Sequence, residues 1–140
     1  MLLALACTDT AHAACTILQA GSFTGNYDSG TGLTGATTTF PQVAACTAGA
    51  TVTLSVDTGL HSASYATRIA QFGGNSMNYQ VYTTAAMTSI LGNGIGGSVT
   101  ESIITDGTGA GQFTWYFSVP AGQTPPVGTY TDTLGITMTF

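Results

Sequence analysis

The stretch Tyr130-Thr131-Asp132-Thr133-Leu134-Gly135-Ile136-Thr137-Met138-Thr139-Phe140 decides how the rest of this chain is read. Leu134, Ile136, Met138 and Phe140 alternate with Gly135, Thr137 and Thr139. Side chains on a strand point to opposite faces in turn, so the four apolar residues share one face. Domains commonly end in a polar, frayed tail. This sequence ends inside what reads as a core strand, and the expectation is that something has to lie beside it.

The same rhythm runs outward from there. Phe113, Trp115, Phe117 and Val119 alternate with Thr114, Tyr116 and Ser118, which predicts the heaviest core strand. Val52, Leu54 and Val56 alternate with Thr51, Thr53 and Ser55 in the same way. Further strands are expected over residues 15–23, 78–83 and 98–104, and over 35–46 with Pro41 marking a bulge or an edge. Residues 65–72 are ambiguous and could hold a helical turn. Residues 84–91 read as a loop with a turn of helix. Asp106-Gly107 signals a turn, and residues 120–128 form a proline-rich connection. About seven short strands in one domain point to an all-β, immunoglobulin-like antiparallel sandwich.

Composition narrows the function classes. Among 140 residues, Arg68 is the only Lys or Arg, against six acidic residues. Charged residues are 5% of the chain, far below the roughly 25% of an ordinary soluble domain. One Arg cannot neutralise a phosphate backbone or hold an acidic membrane surface, so nucleic acid is excluded as a partner. Disordered chains are charged and poor in aromatics, whereas this one carries one Trp, six Tyr and six Phe. A surface of hydroxyls and amides suits a protein that packs against copies of itself.

Residues 1–13 read as a secretory leader, with apolar residues 2–6 and a small-x-small pattern at Ala11-His12-Ala13. Residues 14–140 then form a single domain. Removing the leader removes Cys7 and His12 and leaves Cys15 and Cys46. An even count in an exported protein argues for one disulfide, with two free buried thiols as the rival reading. A disulfide closing this loop stabilises by roughly 3–4 kcal/mol on the chain-entropy model.

Several motifs resemble sites and read better as structure. Gly92, Gly94 and Gly97 satisfy G-x-G-x-x-G but lead into the β-prone Ser98-Val99-Thr100 rather than a helix. Asp57, His61, Ser62 and Ser64 hold the parts of a nucleophile, base and orienter, but in a turn and with no oxyanion-hole signature. Asp28, Asp57, Asp106 and Asp132 are dispersed beside Gly, Ser or Thr, and predict turns and strand ends rather than a calcium site. Tyr27, Tyr65, Tyr82 and Tyr116 could stack on sugars or fill an interface. Arg68 either forms an ion pair with a neighbouring acid or makes a subunit contact, or it is a solvent-exposed strand residue. No catalytic residue, metal site or cofactor is expected.

The order of features carries a resemblance. Cys15-Thr16-Ile17 is followed by residues Phe23-Thr24-Gly25-Asn26-Tyr27-Asp28 and by Cys46. Then come Leu54-Ser55-Val56-Asp57-Thr58-Gly59, Tyr65-Ala66-Thr67-Arg68-Ile69 and Met77-Asn78-Tyr79-Gln80-Val81-Tyr82. Val119-Pro120-Ala121-Gly122-Gln123 and Gly128-Thr129-Tyr130-Thr131-Asp132-Thr133 precede the alternating last strand. Over residues 15–140 this resembles the spore coat protein U domain, the building block of archaic (Csu-type) chaperone–usher pili. The resemblance implies export through the periplasm to an extracellular fibre, and a sandwich lacking its last strand. It implies a periplasmic chaperone that lends a strand and an outer-membrane usher that exchanges it for the N-terminal extension of a neighbouring subunit, itself or another. It places the acceptor groove along Leu134, Ile136, Met138 and Phe140, and matches Cys15 and Cys46 to the family disulfide. A secreted adhesin or lectin-like module of the same fold is the alternative function.

One departure stands out. A donating subunit needs about ten alternating residues ahead of its first core strand, and Cys15 follows the leader almost at once. Either the mature N-terminus lies elsewhere, or the subunit accepts a strand without donating one, as a tip or terminal subunit does. A third option keeps residues 1–13 and inserts Leu3, Leu5 and Cys7.

Overall fold

A computed structural model describes residues 15–19, 25–38 and 42–140. Among these the chain forms twelve short strands and no helix. β1 (Thr16–Gln19), β2 (Leu33–Thr38) and β3 (Gln42–Ala44) lead into β4 (Thr51–Val56). β5 (Arg68–Phe72) and β6 (Asn75–Tyr82) make a hairpin. The short β7 (Ile90–Leu91), β8 (Ser98–Val99), β9 (Glu101–Ile104) and β10 (Gly111–Gln112) follow, then β11 (Trp115–Val119) and β12 (Ile136–Thr139). One sheet runs β2-β11-β6-β7-β8 with β5 beside β6, a second runs β12-β4-β9, and a third runs β1-β3-β10. All pairs are antiparallel except β7 with β8.

The register follows from the alternation. Ile136 faces Val56 and Met138 faces Leu54, while Thr137 faces Ser55 and Thr139 faces Thr53. Apolar residues therefore meet on one face and hydroxyls on the other, the arrangement that pins a strand pair. On the far side of β4, Val52 faces Ile103, and Thr53 meets Ser102 through a 2.8 Å hydroxyl bond. The inner face of β4 packs against Phe113, Trp115 and Phe117, with Val81, Leu91 and Val43 completing the core. Phe113 stands just ahead of β11 and is fully buried, so the alternating run from 113 to 119 lines the core as expected.

Several elements differ from the sequence expectation. Residues 35–46 are not one strand. β2 pairs β11 and β3 pairs β10, in different sheets. Pro41, expected at a bulge or edge between them, lies outside the described residues, as do residues 1–13 and Phe23. Residues 98–104 likewise divide at Thr100 into β8 and β9, in different sheets. Residues 68–72 are strand rather than helical turn, because they ladder fully against β6. Residues 84–89 form turns without a helix. The last strand is laddered only from Ile136 to Thr139, preceded by one isolated bridge from Thr131 to Gln71.

Cys15 and Cys46 are joined by a disulfide, which ties the start of β1 to the residues just after β3. Cys46 is buried and Cys15 packs against the core.

Glu101 introduces a titratable group into β9. Its Oε2 accepts a 2.9 Å hydrogen bond from the Trp115 indole. Burial pushes its carboxyl from the ordinary 4.5 up to about 7, although the indole bond pulls the other way. The folded state therefore binds more protons than the unfolded state between those two values. Stability falls as pH rises through that window, and the cost is fully present above it. Glu101→Gln keeps an acceptor for the indole and removes the charge. It is expected to raise stability by about 1–2 kcal/mol near pH 8, after discounting for solvent screening, with no gain near pH 4. Thermal denaturation of both proteins across that range checks it.

Candidate strand-accepting groove

β12 pairs with β4 on one side, and among the described residues nothing pairs with its other side. Leu134, Ile136 and Met138 pack against the core but are only half-buried, and Phe140 is 49% exposed. One strand over, on the same face, Val52, Leu54 and Val56 are at most 1% exposed. Chemistry does not separate the two rows, since both are aliphatic. What separates them is that, among the described residues, β4 has a neighbour on each side and β12 has one. The result is an edge carrying unpaired backbone donors and acceptors above a half-covered apolar row, which is a template for another strand.

At the start of this strand the backbone is held by carboxylates. Asp57 Oδ1 accepts from Gly135 N at 2.9 Å and from Gly59 N at 2.9 Å, and Asp57 N donates to Gly135 O at 2.9 Å. Asp132 answers from the other segment: its Oδ1 accepts from Leu60 N at 2.9 Å and its Oδ2 from the Tyr79 hydroxyl at 2.5 Å. Each carboxylate lies over a glycine. A Cβ at Gly135 would sit 2.4 Å from Asp57 Oδ2, and one at Gly59 would sit 2.1 Å from Asp132 Oδ2. Only glycine leaves that room.

Arg68 anchors the arrangement from inside. It is fully buried, and its guanidinium donates to Gln80 Oε1 at 2.6 Å, Leu91 O at 2.6 Å and Asp57 O at 2.8 Å. Gln80 is fixed in turn by Nε2 donating to Tyr65 O at 2.8 Å and to Ala66 O at 3.2 Å. The guanidinium also lies 5.6 Å from the centroid of the Tyr65 ring, a cation–π distance. Burial pulls the Arg68 pKa down, while the surrounding tyrosines and carboxylates support the charge. Burial and the Asp132 hydrogen bond push the Tyr79 phenol well above its ordinary range, so it remains a donor. Arg68 is thus buried rather than an exposed strand residue, and among the described residues its partners are carbonyl and amide oxygens, not the side chain of an acid as an ion pair would require.

The other candidates disperse. Ser62 Oγ serves its own loop through Thr67 O and Ser64 O. Half-buried His61 makes no hydrogen bond to it or to Asp57. Asp28 and Asp106 each close a turn onto backbone amides and a threonine hydroxyl, which holds both carboxyls below their ordinary value. Tyr27 exchanges hydrogen bonds with the backbone of Gln123, and Tyr82 stands opposite Tyr116 across β6 and β11. Gly92, Gly94 and Gly97 lie in the loop between β7 and β8, with no helix after them. Sequence reasoning missed the pairing of Asp57 with Gly135 and of Asp132 with the 57–60 turn. The repeated Asp-Thr followed by Gly, at 57–59 and 132–135, was the available signal.

Comparison with known proteins agrees with this architecture. A chain in the crystal structure of the CsuC-CsuE chaperone-tip adhesion subunit pre-assembly complex, from the archaic chaperone-usher Csu pili of Acinetobacter baumannii, is similar with a TM-score of 0.57 and 17% identity. The match covers 92% of this chain and 40% of that one, so the present chain spans under half the length of its neighbour, and the likeness is one of fold. No curated protein matches the sequence. The family model of the spore coat protein U domain matches residues 1–137, nearly the whole sequence, and the chain therefore belongs to the spore coat protein U domain family.

Proposed function

We propose that this chain is a structural or tip subunit of an extracellular chaperone–usher pilus, assembled by donor-strand exchange and supporting adhesion and biofilm formation. The observation that carries the reading is the contrast between β4, whose inner face is buried, and β12, whose inner face is half-covered beside an edge that no described residue pairs. A strand from another chain, laid along β12 with alternate apolar side chains, would satisfy both deficits together. Leu134, Ile136, Met138 and Phe140 form the acceptor row in this reading. The occupants are a periplasmic chaperone first and a neighbouring subunit afterwards, handed over at an outer-membrane usher. Residues 1–13 serve as the export leader, and the chain catalyses nothing.

The test is the behaviour of the chain without a partner. Expressed alone in the periplasm, it is expected to be degraded or to aggregate. Co-expressed with its chaperone, it is expected to purify as a one-to-one complex. A stable, soluble monomer purified without chaperone or added donor peptide would overturn the proposal. Fibres seen by electron microscopy after co-expression with chaperone and usher would support the structural role.

A further inference from the structure

We infer that Asp57 and Asp132, anchored through Tyr79 and Arg68, are positioning residues that hold β12 in the register in which it accepts a strand. This rests on the strand-accepting reading above and adds to it the residues that prepare the groove.

Little else among the described residues fixes β12. Its ladder to β4 covers four residues, from Ile136 to Thr139. A short edge strand with one neighbour is marginal on its own. A slip of one residue would turn Ile136 and Met138 away from the core and present Thr137 and Thr139 in their place. A donor strand would then meet hydroxyls instead of an apolar row.

The carboxylate pair blocks that slip. The segment 132–135 and the turn 57–60 are capped reciprocally: Asp57 holds Gly135, and Asp132 holds Leu60. The Asp57 N to Gly135 O bond continues the same alignment. Tyr79 and Arg68 face each other across β5 and β6. The Tyr79 hydroxyl reaches Asp132, while the Arg68 guanidinium grips the carbonyl of Asp57. The start of β12 is therefore tied to the opposite layer of the sandwich as well as to its own. Moving β12 by one residue would break the bonds at Gly135 and Asp132 together.

The test measures strand capture by the full chain. The protein is diluted from denaturant into a synthetic peptide of about ten residues, alternating Val and Thr with terminal lysines for solubility. Formation and decay of the complex are followed by the fluorescence anisotropy of a dye on the peptide. Asp132→Ala is expected to slow capture about tenfold, the worth of one charge-assisted hydrogen bond. Dissociation of the formed complex should change less than about threefold, because the donor then secures β12 from its free side. Asp132→Asn, which keeps an acceptor for Leu60 N, should restore most of the rate. Tyr79→Phe, which removes only a hydroxyl, should slow capture in the same direction and guards against Asp132→Ala failing to fold.

If the wild-type chain captures the peptide and both Asp132→Ala and Tyr79→Phe capture it at the wild-type rate, the inference is overturned and the groove stands. A rise in dissociation matching the fall in capture also overturns it, since that marks a general loss of stability. No capture by the wild-type chain removes the groove and the inference together.

Discussion

Ile136→Asp is expected to abolish strand capture while leaving the Cys15–Cys46 disulfide and the rest of the core in place. Ile136 lies opposite Val56 and is half-buried beside the free edge of β12. In the uncomplemented chain a carboxylate at this position still reaches water. Once a donor strand covers the row, the same carboxylate must be desolvated beside Val56 and the donor's apolar side chains, with no cation to receive it. The only Lys or Arg in the sequence is Arg68, and its guanidinium is already committed. An unpaired charge in such a place costs several kcal/mol, and about 4 kcal/mol is a factor near a thousand in affinity. Met138→Asp should behave alike, because Met138 occupies the same face two residues on. Thr139→Asp is the control: it stands opposite Thr53 on the outer face and should capture nearly normally. Capture is measured by co-purification with the chaperone and by peptide binding. Normal capture by both Ile136→Asp and Met138→Asp would remove the groove from this face.

Arg68→Met is expected to cost about 4 kcal/mol or more of stability, enough to unfold a marginal domain. Methionine fills much of the volume but leaves Asp57 O, Leu91 O and one bond of Gln80 Oε1 without their donor. Hydrogen bonds from a charged donor are worth about 1.5–3 kcal/mol each. Among the described residues no buried side-chain nitrogen or oxygen lacks a partner, so the loss meets a network with no slack. Arg68→Lys should recover only part of it, since one ammonium cannot span acceptors arranged for a planar fork. Denaturant midpoints of the chaperone- or peptide-complemented proteins give the ranking. Because residue 68 is the sole tryptic site and is buried, cleavage there reads out opening of the fold directly in the wild-type and Lys proteins. Rapid cleavage of folded wild-type protein would contradict the burial on which this rests.

What could be read in the sequence depended on whether the signal was local. The β4 strand matched its expected bounds because a period of two within six residues needs no knowledge of a partner. The runs 35–46 and 98–104 carried enough β-pattern to be read as strands, yet each crosses between sheets. Periodicity reports which face is apolar and is silent about which neighbour supplies the ladder. The last strand read longer than it is for a related reason. Leu134 continues the apolar alternation, but Gly135 N and O are taken by Asp57, 78 residues away, and no local pattern encodes that. Arg68 shows the limit most plainly. Its acceptors come from the residue just after β4, from β6 and from β7, so its burial and hydrogen bonding became visible only when those elements were brought together.

The interior position of Arg68 also bears on how such molecules meet each other. With the one guanidinium sealed inside, no Lys or Arg side chain remains to give the exterior a positive charge, and the side chains that ionise there at neutral pH are acids. A filament made of repeated copies would be a polyanion along its whole length. Cohesion between successive copies could not draw on complementary surface charge and would rest on ladder bonds and apolar contact, which salt screens little. Side-by-side bundling of two filaments would instead be opposed by like charge and would grow easier as ionic strength rises.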